Sequence, residues 1–103
     1  MRLTLHQTQT LKSTVARRFG ADARIWLFGS RVDERRRGGD YDFYLETPLT
    51  DPDDIINRKL RLLADLHATA EFEDEKIDLV IRPLSFGEEL PIYRIAKEDG
   101  KEL

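Results

Sequence analysis

The sequence predicts an α/β (α+β) fold class on three observations. Apolar residues recur at helical spacing in two well-separated stretches, and a third helical stretch surrounds Pro91. Between them lie short runs with strand character, one continuously apolar and two alternating. The chain has 103 residues, enough for one domain spanning 1–103 with its own core and too few for a separate substrate domain.

From Thr8 to Phe19, Leu11, Val15 and Phe19 repeat every four residues on one helical face, Arg17 and Arg18 fall in the last turn, and Gly20 supplies a C-cap. The first strand runs from Ala23 to Phe28; its unbroken Ile25-Trp26-Leu27-Phe28 suits a strand covered on both faces. Gly29-Ser30 breaks it, a basic loop follows with a short helix expected at Ser30 and Arg31, and Gly38-Gly39 reads as a turn. In the second strand Asp40, Asp42 and Tyr44 point one way and Tyr41, Phe43 and Leu45 the other. Thr47-Pro48 ends it. Asp53 to Ala68 forms the second helix, with a stripe of Ile56, Leu60 and Leu63 flanked by Ile55, Leu62 and Leu66. Glu71 to Glu75 reads as an acidic, solvated connector. The third strand, Lys76 to Ile81, sets Ile77, Leu79 and Ile81 on one face and Asp78 and Val80 on the other. Asp78 thus sits in an otherwise apolar strand, where a buried carboxylate needs an arginine or a metal as partner. A final helix is expected from Phe86 to Glu98, started or kinked by Pro91 and ended by Asp99-Gly100.

Composition narrows the function classes. Seventeen basic residues nearly balance 20 acidic ones for a net charge of -3, so the overall field gives nucleic acid no strong attraction, and Arg35, Arg36 and Arg37 are a local exception. There is no cysteine, which excludes disulfides and thiolate metal sites. With no membrane-spanning apolar run and no export signal, a soluble cytoplasmic protein is expected. Assembly into an oligomer is compatible with the sequence.

The chemical clue is the spacing of acidic residues. Asp40 and Asp42 share one strand face with Cα atoms about 6.6 Å apart, two residues of strand rise, so their oxygens can converge on a shared cation or pair of cations. Gly29-Ser30, then a loop, then Asp40-Tyr41-Asp42, then a lone strand aspartate, Asp78, is a pattern that resembles the minimal nucleotidyltransferases of the DNA polymerase beta superfamily. The resemblance covers roughly Leu11 to Ile81 and keeps the order of elements. It implies a small mixed β-sheet with flanking helices, the polymerase-beta-like nucleotidyltransferase fold. It also implies that Asp40, Asp42 and Asp78 bind Mg2+, that Asp78 accepts the nucleophile's proton, and that Gly29, Ser30 and Arg31 contact the phosphates of ATP. The residue types suit that chemistry: hard carboxylate oxygens are what magnesium prefers, and a glycine turn lets backbone N–H groups approach phosphate closely.

The loop departs from the family pattern. Val32-Asp33-Glu34 replaces a small-and-basic continuation and Gly39 stands where relatives carry serine, which leaves metal ligation untouched but shifts phosphate contacts onto Arg31 and the Arg35 to Arg37 run. His6 and His67 fall outside the motif.

Two functions are implied. The first is a protein adenylyltransferase that moves AMP from ATP to a hydroxyl, with tyrosine as the expected acceptor, on a helical partner of the HEPN family, acting as antitoxin in a type VII-like toxin–antitoxin system. The second is a binding-only antitoxin or subunit that neutralises its partner by covering it. In either case a domain this small needs a partner to complete the cleft, with the acidic face, the arginine loop and the apolar residues Ile92, Tyr93 and Ile95 as docking surfaces.

Overall fold

In a computed structural model, residues 3–29 and 41–103 are described. The elements in chain order are α1 (Leu5–Phe19), β1 (Arg24–Phe28), β2 (Tyr41–Thr47), α2 (Pro52–His67), β3 (Ile77–Pro83), α3 (Pro91–Asp99) and β4 (Lys101–Glu102). The strands form one sheet in the order β3-β2-β1-β4. β1 is antiparallel to β2 and to β4, and β2 is parallel to β3, so the sheet is mixed and the fold is the small α+β type expected.

Helix α1 starts one turn earlier than apolar spacing alone indicates because Thr4 and Gln7 form a capping box, each side chain accepting the other's backbone N–H at 3.0 Å. It ends at Gly20, whose positive φ of 88° closes the last turn. Leu11, Val15 and Phe19 are buried against the sheet face carrying Ile25, Leu27, Phe43 and Leu45. Helix α2 is started by Asp51, whose side chain accepts the Asp53 N–H, with Pro52 at the first helical position and two aspartates in the first turn that suit its positive end.

The buried stripe of α2 differs from the expectation. Ile55, Leu62 and Leu66 enter the core, whereas Ile56 and Leu60 are 57% and 60% exposed. The reason lies in how α2 is held against α1. Arg18 donates to both Asp65 carboxylate oxygens, and Arg58 donates to the Arg18 carbonyl, which turns the Arg58/Asp65 side of α2 toward α1 and the Ile56/Leu60 side away from it.

The connector after α2 is also corrected. Its acidic residues are solvent-facing or partly so, but Phe72 is completely buried and meets the rings of Tyr41 and Phe43 edge-on at 5.6 and 6.3 Å. Tyr41 accepts a hydrogen bond from Gln7 Nε2, which also reaches the Glu71 carbonyl, so this end of α1 is tied to both β2 and the connector.

A second, smaller core lies on the opposite sheet face. There α3 packs Tyr93 and Ala96 on Trp26, Phe28 and Tyr44. Ile92 and Tyr93, expected as a docking surface, are therefore largely used within the domain, and of that trio Ile95 stays exposed. After α3 the chain turns at Gly100, where a Cβ would lie 2.7 Å from the Leu27 carbonyl oxygen, and adds the short edge strand β4 beside β1. Among the described residues no helix is long and apolar enough to cross a membrane.

Candidate functional site

One end of the sheet gathers the C-terminus of β1 and the N-termini of the parallel pair β2 and β3. In that pairing Asp42 stands beside Phe28 on one side and Asp78 on the other. Residues in register on neighbouring strands point to the same face, so the Asp42 and Asp78 side chains lie side by side, on strands about 4.8 Å apart. The same face carries Tyr44 and Val80 in the next row and Glu46 and Arg82 in the row after.

Asp42 is partly buried and Asp78 exposed. The expected dry setting for Asp78 is thus corrected, and topology explains why. Among the described residues β3 is the outermost strand on its side of the sheet, and α3 crosses above the Trp26/Tyr44/Val80 row without covering Asp78. The alternation of β3 showed which face Asp78 occupies but not that the sheet ends there.

Gly29 is fitted to this acidic corner. It follows β1 with φ +77°, a backbone region that costs a residue with Cβ about 1–2 kcal/mol. A Cβ there would stand 3.1 Å from Asp42 Cγ and overlap its Oδ2. The absence of a side chain is therefore what lets the chain turn directly against the Asp42 carboxylate. Ser30, Arg31 and Asp40, together with the Arg35 to Arg37 run and the Gly38-Gly39 turn, lie outside the described residues.

Asp42 and Asp78 are oxygen donors suited to a hard divalent cation, and their side-by-side arrangement within reach of solvent fits one. Among the described residues no group of three His, Cys, Asp or Glu side chains is gathered closely enough to hold a metal, so the described donors are this pair.

Beyond the acidic corner the same face holds an ionic cluster that sequence reasoning missed. The Glu46 side chain is 4% exposed; its Oε2 accepts from the Tyr44 hydroxyl at 2.7 Å and meets Lys97 Nζ at 3.1 Å and Arg82 at 3.9 Å. Arg82 lies over the Tyr93 ring, and Lys97 over Trp26. Burial, followed by the hydrogen bond to Glu46, pushes the Tyr44 phenol up to about 12. The cluster clamps α3 onto β2 and β3, on the strand and face that present Asp42. Its one sequence signal was period two: Glu46 continues the Asp42, Tyr44 series.

A scan against protein-family models finds no match for this chain, and a comparison with curated proteins finds none either.

Proposed function

We propose that this chain is a magnesium-dependent nucleotidyltransferase that moves AMP from ATP onto a hydroxyl of a protein partner. The observation that carries the proposal is the pairing of Asp42 with Asp78 on adjacent parallel strands, with Gly29 turning against the Asp42 carboxylate. An acidic corner next to a glycine turn suits nucleotidyl transfer, which needs cation ligands beside a backbone that can approach phosphate.

When bound, Mg2+ would be held by Asp42 and Asp78, with Asp40 as the third carboxylate of the motif, and would supply charge neutralisation for the triphosphate. In the transfer the acceptor oxygen bonds to the α-phosphorus, the bond from that phosphorus to the pyrophosphate oxygen breaks, and the hydroxyl proton leaves. Asp78 is the group assigned to receive that proton, and its exposure gives an incoming hydroxyl direct access. The Gly29 turn lets the backbone approach the phosphates, with Ser30 and Arg31 as their side-chain contacts. Holding the acceptor in line can account for about 7–11 kcal/mol of the barrier, and a domain this small leaves that task to a partner surface. A helical protein of the HEPN class encoded nearby, presenting a tyrosine, is the proposed acceptor.

The test is intact mass measurement of that partner after incubation with the chain, ATP and magnesium. Gains of one or more AMP masses, abolished by Asp42→Ala and by a chelator, are expected. Neutralisation of the partner with no mass change would instead support a binding-only role.

A further inference from the structure

We infer that the flank of α3 carrying Ile92 and Ile95, with Val80 of β3 at its foot, is the wall against which the base of the nucleoside triphosphate lies. The inference rests on the proposed nucleotidyl transfer and concerns the part of the ligand that the acidic corner does not hold.

The path of α3 over the sheet fixes which of its sides meets which row. Tyr93 and Lys97, one turn apart, face the Glu46/Arg82 row: the Arg82 guanidinium lies 5.3 Å from the centre of the Tyr93 ring, and Lys97 Nζ stands 3.1 Å from Glu46 Oε2. The neighbouring line of residues, Ile92, Ala96 and Gly100, lies toward the other end of the sheet. A Cβ on Gly100 would be 3.0 Å from the Cβ of Phe28, the β1 residue that pairs with Asp42. Ile95 and Asp99 form the next line round the helix, and a turn of about 100° per residue puts them across the Ile92 line from Lys97. This side of α3 therefore overlooks the Asp42/Asp78 row.

The surface it offers there is apolar. Ile95 is 47% exposed, Ile92 is partly buried against the Trp26/Tyr44 cluster, and Val80 is only partly buried although it shares the face that α3 covers. Val80 follows Asp78 by two residues on the same side of β3, a displacement of about 6.6 Å along the strand. A ribose bridges that separation. With the α-phosphate at the Asp42/Asp78 pair, the base comes over Val80 and meets Ile92 and Ile95. Polar groups that fix one end of a ligand beside apolar surface that covers the rest are the common build of a small-molecule site.

Other surfaces do not qualify. On the opposite flank of α3, Lys97 and Arg82 are engaged with Glu46 and with the Trp26 and Tyr93 rings. Leu84, Phe86 and Leu90 are exposed, but they lie past the Pro83 end of β3, and six residues of strand rise put Leu84 about 20 Å from Asp78, beyond the reach of one nucleotide.

Isothermal titration calorimetry of the chain with Mg2+ tests this by comparing ATP with ribose 5-triphosphate, which keeps the sugar and phosphates and lacks the base. The wild-type chain should bind ATP about ten-fold or more tightly than ribose 5-triphosphate, a difference of about 1.4 kcal/mol that corresponds to about 55 Å2 of apolar surface covered. Ile95→Ser combined with Ile92→Ala should bring ATP to the ribose 5-triphosphate value and leave the latter unchanged. Ile95→Leu, which keeps the apolar area, should preserve the difference, and Leu60→Ser on the exposed side of α2 should alter neither constant. Ile95→Ser alone, at a half-exposed position, should weaken ATP about three-fold and carries the test if circular dichroism shows the double variant unfolded. Two results would overturn the inference and spare the reading beneath it: equal affinity of the wild-type chain for the two ligands, or ATP affinity unchanged by the substitutions at Ile92 and Ile95. Binding of neither ligand would overturn that reading and the inference with it.

Discussion

Replacing Gly29 with alanine probes the contact on which the candidate site is built. Two costs arise from the structure. A residue with Cβ at φ +77° loses about 1–2 kcal/mol against glycine. Overlap of that Cβ with the Asp42 carboxylate forces a shift in a packed corner, which costs typically 1–3 kcal/mol, on the order of other overpacking changes. Gly29→Ala should therefore destabilise the chain by about 2–5 kcal/mol, lowering Tm by roughly 4–8 °C for each kcal/mol in a domain of this size. The backbone cost is local to position 29, but the overlap needs the Asp42 side chain. In an Asp42→Ala background the same substitution should cost only the first amount, about 1–2 kcal/mol, leaving a coupling of about 1–3 kcal/mol between the positions. Urea denaturation of the four proteins, read at a common m-value, measures this coupling. Equal costs for Gly29→Ala in both backgrounds would refute the close approach of the turn to the carboxylate.

Other parts of the structure give distinct expectations. Phe72→Ala removes a fully buried ring held edge-on by Tyr41 and Phe43 and should cost about 3–5 kcal/mol in chemical denaturation; a loss under 1 kcal/mol would mean the connector is solvated as its acidic composition suggests. The Tyr44 phenol, raised from 10.0 to about 12, keeps its proton in the folded chain at a pH where the unfolded chain has lost it. Its contribution to stability is complete below pH 10 and is lost as pH climbs through about 12. Tyr44→Phe should be less stable at neutral pH, having lost the bond to Glu46, and should show a shallower decline between those values; an unchanged alkaline limb would contradict the buried phenol.

Much of the fold was legible because single-element periodicity decided it. The four-residue recurrence of Leu11, Val15 and Phe19 and the alternation around Phe43 and Leu79 point to faces that the structure buries. What escaped depends on relations between elements. Six apolar residues of α2 gave too broad a stripe to say which would be exposed, and the choice fell to Arg18 of α1 and Arg58 and Asp65 of α2, polar residues at the contact between the two helices. Phe72 was hidden by acidic neighbours, and β4 is too short to carry a pattern. In the site, strand parity placed Asp42 and Asp78 on one face each, but only the parallel β2–β3 register brings them together. The exposure of Asp78 follows from the end of the sheet and the path of α3, neither of which is written in the local sequence.

The acidic corner itself can be located without any partner. Mn2+ in place of Mg2+ broadens amide resonances near its binding site, so a 15N-labelled sample titrated with substoichiometric Mn2+ reports where a divalent cation binds. Signals of Gly29, Phe28, Asp42 and Asp78 should broaden first, those of His67 and Leu62 on the other side of the sheet should persist, and Asp42→Ala combined with Asp78→Ala should abolish the selectivity. Broadening centred elsewhere, or unchanged in the doubly substituted protein, would contradict a cation site built on Asp42 and Asp78.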